Sequence, residues 1–366
     1  MQAECPEIHT LVEFDSFAAS NASDPSAAEM VVQGVDLRER TETILAGHWG
    51  SVTFLGCRMD DGARRHAVDQ GATWFPPFDG LPYDPYRAAL YTGAELNEAD
   101  LDGRIYRHQA RYRNSGPVPI LEALAQRIHD HAIDNALDAY LAEHERVVAI
   151  MGGHSLHRDD DIYPRVVEVA RALTRAGYLV VTGGGPGAME AGNLGAWLAP
   201  HADDAVPAAL ATLSTAVDYS TQEYLDAAAQ VLVDFPDGAP SLAIPTWFYG
   251  HEPTNAFATS VAKYFSNSIR EDGLLAIATN GVVYTPGAAG TVQEVFMDAT
   301  QNHYVTFAVI SPMVFMDSAY WADDRLGAPK LLRQLAGDRP YRDMIAVLDD
   351  PSDIVDFIES HPPFAP

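Results

Sequence analysis

From residue 146 onward, short apolar runs alternate with longer segments whose apolar residues recur at helical spacing. The clearest runs read VVAIM, YLVVT, SLAIP, GVVYT and IAVLD. Such runs are typical of strands that are buried on both faces, and the segments between them, such as PRVVEVARALTRAG, have the period of amphipathic helices. The alternation predicts an α/β fold in which helices cover both faces of a parallel sheet.

Two segments between the later runs are predicted to be helices, 253–269 (PTNAFATSVAKYFSNSI) and 291–304 (TVQEVFMDATQNHY). In the second, four apolar residues at helical spacing are expected to face the sheet: Val292, Val295, Phe296 and Ala299. Glu294 and Asp298 then lie on another face. We expect Glu294 in the first turn, where the helix dipole favours an ionised carboxylate.

Residues 1–145 are predicted to form a smaller N-terminal α/β domain, and residues 146–366 the larger one. Within the smaller domain, SVTFLG, DDGARRHAVDQG and ATWFPPF read as strand, helix and strand. Residues 1–45 show no sustained period. They are therefore interpreted as a weakly ordered lead-in or surface wrap, with regular structure beginning near SVTFLG.

The charge of the chain argues against some classes of partner. Its 366 residues include 51 acidic and 23 basic side chains, for a net charge of −28. Such a surface repels polyanions, so we expect no binding to nucleic acid or to an anionic membrane.

Cysteine and lysine usage narrows the chemistry further. Cys5 and Cys57 are the only cysteines, too few for a disulfide framework and without zinc-site spacing. Neither lysine lies in a Walker-type phosphate loop. No targeting segment or long apolar run is recognisable, and we therefore expect a cytoplasmic protein. No cluster of metal ligands is recognisable in the sequence either, and we expect neither a metal nor a cofactor.

Three glycine-containing turns follow apolar strands: MGGHS at 151–155, TGGGPGAME at 182–190 and TPGAAGTVQE at 285–294. Glycines let the backbone turn sharply and present N–H groups to an anion, and the N-terminus of a following helix adds a favourable dipole. Ligands of parallel sheets bind beyond the carboxyl ends of the strands. Together the turns predict an anion-binding crevice of phosphate size.

The turn at 182–190 has two other interpretations. It can be a plain tight turn between strand and helix. It also matches a dinucleotide fingerprint through Gly183, Gly185 and Ala188, with Asp203 and Asp204 about twenty residues further on. That fingerprint belongs after the first strand of its unit, whereas YLVVT is the second strand, so a dinucleotide-dependent oxidoreductase is disfavoured.

The pairing of TGGGPGAME with PGAAGTVQE resembles the Lonely Guy (LOG) family, whose members are often labelled lysine decarboxylase-like. The family signature is P-G-G-x-G-T-x-x-E after an earlier glycine-triplet loop, and the resemblance covers about residues 147–358. It implies a Rossmann-like, doubly wound sheet and a homodimer or higher homo-oligomer. It also implies hydrolysis of nucleoside 5′-monophosphates to free base and ribose 5-phosphate.

The resemblance assigns roles to particular residues. Glu294 corresponds to the motif glutamate, and Arg270 to its arginine partner. The substrate and phosphate contacts implied are His154 or Ser155, Gly183, Gly184, Gly185, Gly187, Met189, Gly287, Ala288, Ala289, Gly290 and Thr291. One letter departs from the signature, since Ala288 stands where the family has glycine. Alanine there would resist a positive φ or a very close backbone approach.

The residues also fit the chemistry without the family name. Cleavage of an N-glycosidic bond builds positive charge on the ribose, which a carboxylate such as Glu294 can stabilise. The phosphate supplies binding energy that positions the sugar. Together with the resemblance, which implies the substrate class, this leads us to expect a hydrolase acting on AMP or its N6-modified, cytokinin-type forms. A nucleotide-binding sensor or carrier with the same crevice and no hydrolysis is the alternative.

Overall fold

The computed structural model describes residues 6–21, 29–113, 118–250, 253–322 and 324–366. These residues divide into two compact units, taken from Met1–Ala89 with Pro117–Ala136, and from Leu90–Gly116 with Leu137–Pro366. Each unit is therefore discontinuous in sequence. The sequence analysis assigned residues 90–116 to an N-terminal domain ending at residue 145, whereas here they group with the second unit. A domain boundary after residue 145 stays a prediction.

Helices and strands alternate along most of the described chain. The strands are β1 (Glu7–Ile8), β2 (Met30–Gln33), β3 (Val52–Leu55), β4 (Thr73–Phe75), β5 (Val147–Met151), β6 (Leu179–Thr182), β7 (Ser241–Ala243), β8 (Ser260–Val261), β9 (Val282–Tyr284), β10 (Met313–Met316) and β11 (Ile345–Leu348). The α-helices are α1 (Leu11–Asn21), α2 (Thr41–Ala46), α3 (Asp61–Asp69), α4 (Gly93–Asn97), α5 (Leu101–Arg113), α6 (Ile120–Leu141), α7 (Ile162–Arg175), α8 (Ala188–Trp197), α9 (Ala205–Leu213), α10 (Gln222–Asp234), α11 (Asn267–Ile277), α12 (Ala289–Tyr304), α13 (Ala328–Ala336) and α14 (Pro351–Ser360).

The first unit contains a parallel sheet in the order β1-β2-β3-β4. Its core includes Phe14, which stacks on Trp49 at 5.6 Å between ring centroids, and Phe54, which meets Trp49 edge-on at 5.7 Å. The expectation that regular structure begins near SVTFLG is therefore wrong, because β1, α1 and β2 precede it and contribute to this core. Residues 1–5 and 22–28 lie outside the described residues.

The second unit contains a parallel sheet in the order β11-β10-β9-β5-β6-β7-β8. The chain builds outward from β5 through β6, β7 and β8, then returns to the other side of β5 with β9 and continues to β11. The order reverses between β5 and β9, which is where open parallel sheets bind ligands. The predicted fold class, a Rossmann-like doubly wound α/β sheet, is confirmed.

Alternate side chains of the large sheet face two helical layers. Val148 and Ile150 of β5, with Val283 of β9, face a core shared with α7, α8 and α14. On the opposite face Tyr284 stacks on Phe315 at 5.2 Å between centroids, and α11, α12 and α13 pack there. Because helices cover both faces of the sheet, the side chains on both faces of its strands are apolar.

Helix α12 carries the motif carboxylate and packs one face against the sheet. Val295 and Ala299 are fully buried, as their spacing predicts. Val292 and Phe296 were expected on the same face but are only half-buried, and Phe296 lines a groove at the surface. Asp298 was expected on another face, and this is wrong, because it is buried and accepts a hydrogen bond from the Tyr284 hydroxyl at 2.8 Å. Burial raises the pKa of Asp298 to about 7, and the bond from Tyr284 lowers it only in part.

The helix predicted over 253–269 is wrong. Residues 260–261 form the short edge strand β8, and α11 begins only at Asn267. Val261 donates to the Tyr91 carbonyl at 2.8 Å and accepts from the Tyr91 amide at 3.0 Å, so its backbone is used at the sheet edge. Phe257 and Val261 are fully buried there. Tertiary pairing and burial therefore override a helical spacing of apolar residues.

A buried ion pair joins the chain after β5 to α8. The Arg158 guanidinium donates to both carboxylate oxygens of Glu190, at 2.9 and 2.5 Å, and the two side chains are 1% and 4% exposed. Arg158 also donates to two backbone carbonyls and lies over the Tyr224 ring at 3.3 Å, while the Tyr163 hydroxyl donates to Glu190 at 2.7 Å. Each charge therefore has several partners inside the fold.

We expect Arg158→Ala to lower the free energy of unfolding by about 3–5 kcal/mol, because it leaves the Glu190 carboxylate buried without its cation. Urea unfolding followed by circular dichroism measures the loss. The matched control is Arg107→Ala, which removes an exposed pair with Asp100 and should cost less than about 1 kcal/mol. Equal losses in the two variants would contradict this reading of the buried pair.

Candidate functional site

The three glycine-containing loops lie together at the carboxyl ends of β5, β6 and β9, as the sequence predicted. The Gly153 amide donates to the Pro286 carbonyl at 3.0 Å, and the Gly153 carbonyl accepts from the Ala188 amide at 3.2 Å. The loop after β5 is therefore hydrogen-bonded to both of the others. Backbone hydrogen bonds thus join the three loops at the floor of the crevice.

Two glycines are required by the packing between these loops. Gly187 has a φ of +73°, and a Cβ there would lie 2.5 Å from the Gly153 carbonyl oxygen. A Cβ on Gly287 would lie 2.1 Å from the hydroxyl oxygen of Thr291 and 3.0 Å from the Gly153 amide. No larger residue fits either position without moving a neighbouring loop.

A cavity of about 490 Å³ opens between the loops, a size in the range of small-molecule sites. The predicted site residues that line it are His154, Gly183, Met189, Arg270, Ala288, Ala289, Gly290, Thr291 and Glu294. The other predicted residues do not line it: Ser155, Gly184, Gly185, Gly187 and Gly287. Those glycines shape the loops, and Gly184 does so with a φ of +76°.

Arg270 and Glu294 face each other inside the cavity. Their nearest charged atoms, Arg270 Nη1 and Glu294 Oε1, are 3.8 Å apart, and the side chains are 11% and 15% exposed. Arg270 Nε donates to the Ile244 carbonyl at 2.7 Å, and Nη2 to the Gly183 carbonyl at 3.3 Å. The guanidinium is thereby fixed to the ends of two strands, and its remaining edge is turned toward Glu294.

The Glu294 carboxyl is poised between its two protonation states. Burial raises its pKa to about 7, Arg270 lowers it, and the neighbouring carboxylate of Glu271 raises it further. The expectation that Glu294 sits in the first turn of its helix is wrong, because α12 begins at Ala289 and Glu294 is in the second turn. The helix dipole fades within one turn, and burial dominates.

Ala288, the departure from the family signature, has an ordinary backbone conformation. Its φ is −100° and its ψ is −152°, which is an extended geometry that any residue adopts. It is exposed at the wall of the cavity. The alanine therefore carries no backbone strain. The amides of Ala289, Gly290 and Thr291 form the first turn of α12, where N–H groups point out of the helix toward an anion.

Three residues at the cavity mouth were not predicted from the sequence. Tyr249, Glu271 and Gln293 all line the cavity. The Tyr249 hydroxyl donates to Glu271 at 3.2 Å, and the Gln293 amide donates to the other carboxylate oxygen at 3.0 Å. The signal available was the aromatic run that follows SLAIP. Within it Trp247 is core, since it is fully buried and its indole N–H donates to Asp102 at 2.7 Å.

The alternative dinucleotide fingerprint loses its acidic partner in the fold. Asp203 is paired with Arg171 and Arg175, each at 3.1 Å. Arg175 ends α7, which leads into the amino end of β6, whereas the loops of the cavity lie at the carboxyl ends. Asp203 therefore lies at the amino ends of the strands, whereas the glycines of the fingerprint lie at the carboxyl ends.

Within the described parts of the chain, no cluster of three or more histidine, cysteine, aspartate or glutamate side chains is arranged to hold a metal ion. Over the same residues, none of the helices combines the length and the apolar character needed to cross a membrane.

No family model and no curated protein matches this sequence. Among solved structures, the chain is similar to the molybdenum cofactor binding protein from the phototrophic bacterium Rippkaea orientalis, at 12% identity and a TM-score of 0.38, over 59% of this chain and 96% of that one. The molybdenum cofactor carrier protein from Chlamydomonas reinhardtii matches at 13% identity and 0.37, over 59% and 96%. A structural genomics target, TM1055, matches at 18% and 0.36, over 59% and 99%.

We expect the Glu294 carboxyl to titrate near pH 7 instead of near its ordinary value of 4.5, because it is buried beside a second carboxylate. Carbon-13 NMR of protein labelled at the glutamate carboxyl groups measures this, and the resonance is assigned by its loss in Glu294→Gln. Glu271→Gln should move the midpoint to lower pH, since it removes the neighbouring negative charge. A midpoint near 4.5 in the unmodified protein would contradict the burial argument.

Proposed function

We propose that this chain hydrolyses the N-glycosidic bond of nucleoside 5′-monophosphates, as LOG-family phosphoribohydrolases do, and that it is a member of that family. The observation that carries the proposal is the buried pair of Arg270 and Glu294 in the same cavity as the first turn of α12. A carboxylate for the sugar and an anion site for the phosphate are the two elements that this reaction requires.

The phosphate is proposed to bind at the loop of residues 288–291. The first-turn amides of α12 and the Thr291 hydroxyl can donate to its oxygens, and the helix dipole favours its charge. The phosphate is remote from the bond that breaks. Its binding energy therefore serves to hold the ribose in position against Glu294.

Glu294 is proposed to act at the anomeric carbon. As the bond from C1′ to the base nitrogen breaks, positive charge develops on the ribose, and the ionised carboxylate stabilises it. The water oxygen bonds to C1′ and one water proton passes to Glu294. The departing base takes up one proton from solvent, and Glu294 then releases its proton to complete the cycle. A pKa of about 7 lets Glu294 both accept and release that proton near neutral pH. Arg270 is proposed to orient the carboxylate through their contact.

The test is to incubate the protein with AMP, GMP, CMP, UMP and an N6-modified AMP and to measure free base by chromatography. We expect base from at least one of them, and a rate about 10²–10⁴ times lower in Glu294→Gln, which keeps the shape of the side chain and cannot take the proton. Glu168→Gln, on the exposed face of α7, is the matched control and should be unchanged.

Two other outcomes decide against hydrolysis. If no member of the panel yields base but calorimetry detects binding, the protein is a nucleotide sensor or carrier. If NAD or NADP binds and monophosphates do not, the dinucleotide interpretation replaces both. Action in the cytoplasm, without metal or cofactor, belongs to the same proposal.

We also propose that the chain self-associates through an apolar groove beside α12. The groove has a volume of about 650 Å³ and is lined in part by Phe296, Met297 and Phe307. Phe307 is exposed, and so is Tyr304 at the end of the same helix. Contiguous apolar surface that is exposed on a folded chain commonly marks a protein–protein interface.

Sedimentation equilibrium should give a mass of at least twice the 39.7 kDa of one chain. Phe307→Glu should shift the protein toward monomer, because it places a charge in the apolar contact. The matched control is Val233→Glu, at an exposed position of α10, which should leave the mass unchanged. A monomer at all concentrations, or an oligomer unaffected by Phe307→Glu, would rule out this interface.

A further inference from the structure

The geometry points to a base-selecting group at the cavity mouth: Glu271, held by Tyr249 and Gln293, selects nucleobases that present an exocyclic amino group over those that present an oxo group. This inference rests on the proposed function, since it names which monophosphates the same cavity takes. It adds a role for Tyr249, Glu271 and Gln293, to which the resemblance assigns none.

The group is built by hydrogen bonds between three elements. The Glu271 carboxylate on α11 accepts from the Tyr249 hydroxyl on one oxygen, at 3.2 Å, and from the Gln293 amide of α12 on the other, at 3.0 Å. The Asn267 side chain donates to the same Tyr249 hydroxyl at 2.9 Å. The carboxylate is thus held in a fixed orientation without being removed from the cavity that it lines.

The position of the group follows from where the rest of the nucleotide must go. The phosphate is assigned to the amides at the start of α12, and C1′ to the vicinity of Glu294. Tyr249, Glu271 and Gln293 form one polar part of the cavity wall, beside Pro245 and Thr246, and Tyr249 is 62% exposed at its edge. The base is assigned to this part of the wall, where the ring of Tyr249 is available for stacking.

The charge of Glu271 disfavours the phosphate at this wall, because a carboxylate repels it. An ionised carboxylate can only accept hydrogen bonds, so it requires a donor on the ligand. Each of its oxygens accepts one bond from the described residues and has capacity for a second. The Gln293 amide nitrogen donates to Glu271, so its carbonyl oxygen is turned away as another acceptor. The wall thus presents acceptors to the base edge.

Acceptors distinguish amino from oxo bases. The 6-amino group of adenine can donate to Glu271, whereas the 6-oxo group of hypoxanthine places an acceptor against an acceptor. A site built to receive a donor rejects the analogue that lacks it, because its own polar groups are then left unpaired. The same reasoning favours cytosine over uracil.

The experiment compares kcat/KM for AMP and IMP, which differ at this group. We expect unmodified protein to favour AMP by at least about tenfold, the size of one hydrogen bond to a charged group. In Glu271→Gln the AMP-to-IMP ratio should fall about tenfold, because an amide can donate to the oxo group. The ratio is the readout, since Glu271→Gln also lowers the pKa of Glu294 and this affects both substrates equally.

Glu168→Gln removes the same charge from an exposed position on α7 and should leave the ratio unchanged. A second arm measures the dissociation constants of AMP and IMP by calorimetry in the Glu294→Gln background, with and without Glu271→Gln. This arm tests selection even if no base is ever released, an outcome that would overturn the proposed function alone. A ratio that Glu271→Gln leaves unchanged, a preference for IMP, or binding of neither nucleotide would overturn the role of Glu271.

Discussion

The buried ion pair of Arg158 and Glu190 is the contact on which the geometry of the crevice depends. Two charges are removed from water, at a cost that their mutual attraction alone seldom offsets. Here the guanidinium has two backbone carbonyls and the carboxylate has the Tyr163 hydroxyl as further partners. The pair fixes the chain after β5 to the first turn of α8. Because Gly153 is hydrogen-bonded to both other loops, the whole floor of the cavity inherits that fixed position.

A second electrostatic balance, between Arg270, burial and Glu271, sets the protonation state of Glu294. Arg270 lies close enough to Glu294 to favour its ionised form, yet the distance of 3.8 Å is longer than a direct hydrogen bond. Burial and the neighbouring Glu271 outweigh it, so the carboxyl is protonated below about pH 7 and ionised above. A tighter pair would favour the ionised form more strongly and would lower the pKa of Glu294. The loose contact therefore leaves burial as the main influence on the protonation state of this carboxyl.

The sequence predicts most of the large sheet because its strands are apolar on both faces and its turns carry glycine. It predicts the sheet of the first unit less well, since β1 is only two residues long and the core that buries β1 and β2 also includes residues distant in sequence, such as Trp49. The helix predicted over 253–269 fails because backbone pairing with Tyr91 is invisible to a local pattern. Tyr249 and Glu271 could not be placed at the site for a similar reason, as they meet only through the packing of separate elements.

The glycines of the loops show why a motif must be interpreted position by position. Gly187 and Gly287 cannot accept a side chain, because a Cβ would collide with a carbonyl oxygen or with Thr291. The Tyr320 hydroxyl also donates to the Gly287 carbonyl, which gives that carbonyl a partner within the fold. At Ala288 the backbone is extended and the side chain meets open space at the cavity wall. A methyl group there narrows the wall without altering the amides that follow. Ala288, which departs from the family signature, thus stands at a position whose backbone conformation accepts a side chain.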